Sequence, residues 1–144
     1  MNDRLEILKH AIPFNILPED VLLGVADLLE EVKYNKETVI YHQQVTKMKG
    51  VDIIVKGEYE SFFYDSSYNK RSAEIHHEGY CYGGISILLN RKRSLKTVIA
   101  KKELRFITCP KKTLQSFASH LKVFFITLLQ NMGSTCLTRN LHIL

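Results

Sequence analysis

Apolar positions along the chain change their period twice. Over residues 1–30 they recur at helical spacing. Leu5, Leu8 and Ile12 suit one face of a short helix that Pro13 breaks. Pro18-Glu19-Asp20 reads as a second helix start, with proline in the first turn and acids beside the positive end of the dipole. Val21, Leu22, Val25, Leu28 and Leu29 follow as its apolar stripe. Residues 31–112 read as strands instead. Thr38-Val39-Ile40-Tyr41 is β-branched and aromatic, and Val51 to Tyr64 holds two strand-like stretches joined across Lys56-Gly57-Glu58. The polar run Asp65 to Lys70 then predicts a hairpin turn into Ser72–His76. Gly79, Gly83 and Gly84 punctuate the next segment, and Thr97–Ala100 and Leu104–Thr108 close the series.

Residues 113–144 return to helical period. Leu114 and Phe117 begin it, and Leu121, Phe124, Phe125, Leu128, Leu129 and Met132 form a wide apolar stripe. A stripe of that width must be covered, by the barrel or by another chain. The expected fold is α+β and mainly β: a single domain over 1–144, with N-terminal helices (1–30), a β-barrel (31–112) and a long C-terminal helix (113–144). Many short, closely spaced strands favour a barrel, jelly roll or sandwich.

Composition narrows the function classes. The chain has 144 residues, 45% hydrophobic and 24% charged, too apolar for disorder. The apolar runs, such as Ile85 to Leu89, are far short of the roughly 20 residues a membrane span needs. Met1-Asn2-Asp3-Arg4 opens no secretory signal, so a soluble cytoplasmic protein is expected. A net charge of +5 permits an anionic partner without demanding nucleic acid. Cys81, Cys109 and Cys136 form no C-x-x-C pair, and they read as reduced thiols. His76 and His77 fall on opposite faces of a strand and do not chelate together. No nucleophile elbow, P-loop or dinucleotide fingerprint is present. The acid pair Glu58 and Glu60 reads as a solvated strand face. Arg91 to Lys112 is rich in lysine and arginine, with Glu103 the one acid; the reading is a scattered surface charge, with a polyanion site as the alternative.

Several segments resemble one family. Phe14-Asn15-Ile16-Leu17-Pro18, Ile53 to Glu60, Glu78 to Leu88, and Thr97–Ala100 followed by Phe106–Pro110 are similar, in that order, to the cyclic nucleotide-binding domain. The resemblance covers about residues 10 to 135 and implies a double-stranded β-helix, or jelly roll, with a phosphate-binding cassette. Gly83-Gly84-Ile85-Ser86 has the form of the cassette's start: glycines that allow close backbone approach, then a helix N-terminus suited to an anion. A tight turn packing a short helix into a barrel mouth has the same form.

The resemblance also implies two charged anchors, and this sequence departs from both. Family members place a Glu after the cassette glycine for the ribose hydroxyl; here Gly84 stands there. Counting back from Thr97-Val98, the phosphate-binding Arg falls on Ser94, with Arg93 and Lys96 as alternative cations. A one-residue slip in a strand reverses the side-chain face, which leaves Arg93 outward unless a loop turns it. A turn glycine is likewise replaced by Asn35-Lys36, with Asn able to go left-handed, and another by Gln43-Gln44.

The candidate site is therefore Gly83, Gly84, Ile85, Ser86, Arg93, Ser94, Lys96 and Thr97, with a cyclic nucleotide or another small anion as the ligand class and no cofactor or metal. The expected role is a regulatory sensor module with a degenerate pocket, acting through its C-terminal helix in a homodimer or on an attached effector domain. Bacterial signal-transduction proteins that join this fold to CBS and nucleotidyltransferase-like domains resemble a suitable host. The residues after 130 are too few for a helix-turn-helix, so no DNA binding is expected of this chain alone. A true cyclic nucleotide sensor using Arg93 or Lys96, and a cupin-type metal enzyme, are the alternatives.

Overall fold

The computed structural model describes residues 3–12, 14–83, 91–116 and 126. In chain order its elements are α1 (Asp3–His10), a 3-10 turn (Phe14–Ile16), α2 (Glu19–Ala26), β1 (Glu30–Tyr34), β2 (Val39–Tyr41), β3 (Gly50–Lys56), β4 (Tyr59–Tyr64), β5 (Lys70–His76), β6 (Cys81–Tyr82), β7 (Thr97–Ala100), β8 (Leu104–Pro110) and α3 (Lys111–Ser116). The strands form two four-stranded sheets, ordered β1-β8-β3-β6 and β2-β7-β4-β5, and every pairing is antiparallel. Successive strands cross between the sheets, and only β4 and β5 follow each other within one. This is the jelly roll expected from the sequence.

Burial explains each sheet's pattern. In the first sheet Val51, Ile53, Ile107 and Cys109 pack outward against Leu8, Phe14, Leu22 and Val25 of the N-terminal helices and Leu114 of α3. Ile54 and Phe106, on the opposite parity, pack inward with Tyr41, Tyr59 and Val98 of the second sheet. Because β3 is covered on both faces it reads as a nearly continuous apolar run, without period two. α2 starts where proline and the acids indicate: the Leu22 amide donates to the Pro18 carbonyl at 3.0 Å. The Arg4 guanidinium donates to the Leu29 carbonyl at 2.8 Å and ties α1 to the end of the second helical segment.

The turns show which residues the topology forces. Gly57 has φ 100°, and an added Cβ would lie 2.3 Å from the Glu103 carbonyl oxygen, so glycine is required where β3 leaves one sheet for β4 in the other. The β4–β5 hairpin closes on Asp65, whose Oδ1 accepts the amides of Ser67 and Asn69, both at 2.9 Å. Asn35 does not supply the left-handed conformation expected of it. Glu37 does, at φ 68°, as the third residue of the turn that the Thr38 amide closes on the Asn35 carbonyl at 3.2 Å, and its own amide donates to the Ala100 carbonyl at 2.7 Å. Gln44 stands in for the second glycine, at φ 60°. Strand structure begins at Glu30, and α3 begins at Lys111. Residues 117–144, Ile126 apart, lie outside the described residues, and with them most of the C-terminal apolar stripe. Among the described residues no helix is long and apolar enough to cross a membrane.

Candidate functional site

Gly83 ends β6 with φ 102°. A Cβ there would lie 2.6 Å from the Gly50 carbonyl oxygen and 2.9 Å from Met48 Cε. The strand backbone cannot move aside, so only glycine lets the chain turn at this point. Gly84, Ile85 and Ser86 lie outside the described residues.

The far side of the candidate site is built by a short ladder. The Ser94 amide donates to the Thr46 carbonyl and the Met48 amide to the Lys92 carbonyl, both at 2.8 Å, which sets Lys47 opposite Arg93 as an antiparallel bridge. Strand alternation then decides the faces. Ser94 points inward and is fully buried, and Arg93 is exposed on the outside. The Ser94 hydroxyl lies 2.8 Å from the Tyr82 hydroxyl and donates to the Lys96 carbonyl at 2.6 Å. Thr97 is buried, and its hydroxyl oxygen accepts the Gln43 amide at 3.2 Å. Lys96 is half-buried beside His76. β7 begins only at Thr97, so strand alternation does not set the face of Lys96 relative to Ser94. Of the candidates described, Ser94 faces inward and engages Tyr82, Thr97 holds the neighbouring turn, and Arg93 stands apart.

Behind Tyr82 the interior is aromatic. Ring centroids lie 5.5 Å apart for Tyr41 and Tyr82, 6.2 Å for Tyr59 and Tyr82, and 5.8 Å for Tyr59 and Phe106. Tyr80 stacks on His76 at 3.7 Å. Among these rings sits Asp52, 2% exposed. Its carboxylate accepts the Tyr41 hydroxyl from the opposite sheet and the Thr108 hydroxyl at 2.6 Å from the adjacent strand. Burial pushes the Asp52 carboxyl up to about 6, against the pull of those two hydroxyls and of Lys49. Burial also raises the Tyr82 phenol to about 12, opposed by its hydrogen bonds to Ser94 and the Lys96 backbone. His76 is held down to about 4, chiefly by burial, with Lys96 and His77 lowering it further and Glu74 opposing.

Sequence reasoning missed Asp52. The available signal was an acid inside the apolar run Val51 to Val55. Its partners could not be read, because Tyr41 and Thr108 are brought to it by strand order alone. Glu58 and Glu60 share no proton: Glu58 sits 3.2 Å from His77 and 3.6 Å from Lys102, and Glu60 sits 2.9 Å from Lys70. Among the described residues no cluster of His, Cys, Asp and Glu could hold a metal ion.

The cyclic nucleotide-binding domain matches residues 31–120 of the chain. The chain belongs to this family. No curated protein is significantly similar to it in sequence. Solved structures share the family's fold. One, assigned as a cAMP-binding regulatory protein of Silicibacter pomeroyi DSS-3, is 14% identical with a TM-score of 0.74, over 99% of this chain and 62% of its own. The regulatory subunit of a cAMP-independent protein kinase A from Trypanosoma brucei, a mutant bound to cAMP in the A site, is 17% identical with a TM-score of 0.76, over 90% of this chain and 46% of its own. The corresponding Trypanosoma cruzi subunit, bound to guanosine, is 17% identical with a TM-score of 0.70, over 79% of this chain and 40% of its own. The chain thus spans about three-fifths of the bacterial structure and less than half of the two kinase subunits.

Proposed function

We propose that the chain is a non-enzymatic sensor module of a larger cytoplasmic regulatory protein. In this reading it does not hold cyclic AMP or cyclic GMP through the usual pair of charged anchors, and it signals through the segment that follows α3 to an attached effector domain or subunit. Ser94 carries the reading. At the position where the resemblance implies a phosphate-binding Arg stands a buried hydroxyl already engaged by Tyr82 and the Lys96 carbonyl. Gly84 stands where the ribose-binding Glu is implied. The interior behind Tyr82 adds a buried carboxylate, Asp52, which opposes an anion rather than attracting it.

Magnitudes favour loss of standard binding over weakening. A hydrogen bond to a charged group contributes about 1.5–3 kcal/mol. Losing two removes about 3–6 kcal/mol, on the order of a 10²–10⁴-fold drop in affinity. The guanosine-bound and cAMP-independent descriptions of the trypanosomal subunits show that relatives of this fold are not all cyclic AMP switches. Calorimetry with cyclic AMP and cyclic GMP tests the reading. No saturation below the millimolar range is expected. A micromolar dissociation constant sinks it, and loss of that binding in R93A or K96A would then assign the phosphate to one of those cations.

A further inference from the structure

The basic stretch from Arg91 to Lys112 divides in two. Lys101, Lys102 and Arg105 lie 3.7, 3.6 and 3.4 Å from Glu37, Glu58 and Glu31. At the Lys47–Arg93 bridge the picture differs. Lys47, Lys49, Lys92 and Arg93 are all exposed, and among the described residues no ion pair engages any of them. The flanking hydrogen bonds, Met48 to Lys92 and Ser94 to Thr46, make Lys47–Arg93 a non-hydrogen-bonded pair, the antiparallel position where opposed side chains lie closest. Like charges directly opposite destabilise a ladder. Lys49 repeats the charge two residues on, and Val45 beside them is 64% exposed.

The opposite arrangement occurs at the N-terminus. Residues 1–31 hold seven Asp and Glu against two Lys and Arg, whereas the chain as a whole is +5. On α2, Asp20, Leu23 and Asp27 share the outer face at i, i+3 and i+7, and Leu23 and the neighbouring Leu28 are 43% and 52% exposed. Asp27 caps the C-terminal end of α2, where the helix dipole disfavours an acid. Asp20, Asp27 and Glu30 have no ion pair among the described residues. Among the described residues each patch therefore carries charged side chains without an ion pair, beside exposed aliphatic side chains. Each offers what the other lacks.

We propose that the chain pairs with a second copy of itself, the basic ribbon of Lys47, Lys49 and Arg93 on one molecule docking the acidic outer face of α2 on the other. Used reciprocally, the two contacts close a two-fold dimer. This contact is distinct from any made by the C-terminal stripe and does not depend on the ligand reading above.

The test is charge reversal with exchange, using the full chain and sedimentation to read mass. The wild type is expected to be dimeric at low salt and to dissociate as salt rises, since screening shortens from about 10 Å at 0.1 M to about 3 Å at 1 M. K47E/R93E alone and D20K/D27K alone are each expected to be monomeric, with circular dichroism and melting showing both folded. An equimolar mixture of the two is expected to regain the dimer mass, because each acidic patch then meets a basic one. A wild type that stays monomeric overturns the proposal, as does a dimer that survives both reversals or a mixture that fails to reassociate. A monomer whose Lys47 and Arg93 retain heparin or polyglutamate would assign the patch to a foreign polyanion, and that also overturns it.

Discussion

Asp52 and His76 are both held toward their uncharged forms by burial, and they push stability in opposite directions. The Asp52 carboxyl lies at about 6 in the fold against 3.8 ordinarily, so between those values the folded protein keeps a proton that the unfolded chain has lost. Its contribution is present below pH 3.8 and lost as pH rises through 6. The His76 imidazole lies at about 4 against 6.5, so its contribution is present above 6.5 and lost as pH falls through 4. At about 1.4 kcal/mol per unit, each amounts to roughly 3 kcal/mol, and the two largely cancel. The wild-type melting temperature should therefore change little from pH 4 to 6.5 on their account. D52N should make it climb with pH across that window, and H76Q should make it fall. Parallel curves for the two variants in scanning calorimetry would contradict the assignment. Glycine substitutions separate sterics from torsion. Gly79, at φ 91°, has nothing within 4 Å of an added Cβ, whereas Gly83 meets the Gly50 carbonyl at 2.6 Å. G79A should cost roughly 1 kcal/mol, the torsional penalty alone. G83A should cost at least about twice that in urea unfolding, and equal losses would refute the crowding at Gly50.

Elements with one wet face were legible from their period, β3 and β8 were legible as apolar runs, and β1 was not singled out. The hairpin into β5 shows in its polar turn, and α2 shows in Pro18 and its acids, because local chemistry decides both. β3 lost its alternation to burial on both sides, and β1, Glu-Glu-Val-Lys-Tyr, has too few apolar residues to announce itself. It becomes a strand because β8 pairs with it from Glu30–Thr108 to Tyr34–Leu104. The turn at Gly83 was readable from its glycine, and the resemblance singled out Ser94, which the structure shows buried. The Asp52–Tyr41–Thr108 cluster could not be read from the sequence, since Tyr41 and Thr108 lie 11 and 56 positions from Asp52 and reach it only through the packing of the second sheet and the pairing of β8 with β3. α1 shows the same dependence on context. Eight residues cannot sustain a helix alone, so its stability is that of its docking through the fully buried Leu8. L8A should destabilise by about 2–5 kcal/mol. In hydrogen exchange, the amides of α1 should lose protection well before those of β3 and β8. Simultaneous loss would mean that the helix is integral to the sheet rather than docked on it.

At the scale of the molecule, the first sheet has helices outside and aromatic rings inside, and two cysteines report on its integrity. Cys109 is fully buried, and its thiol is pushed up to about 12 by burial; Cys81 is also raised, again mainly by burial. In a C136S variant, neither should react with a disulfide reagent at pH 8 until urea opens the fold. Prompt reaction of one thiol would show that the sheet edge at β6 opens locally. The Tyr82–Ser94 hydroxyl pair has a wider consequence. It ties the end of β6 to Ser94, while Tyr82 is also paired along the backbone with Asp52. Tyr82 and Ser94 cannot part without breaking that phenol-to-serine link, which joins β6 to the ladder that Ser94 makes with Thr46. A Y82F variant removes that link while leaving the backbone pairing with Asp52 in place, and it should lower stability by about 0.5–1.5 kcal/mol in urea unfolding.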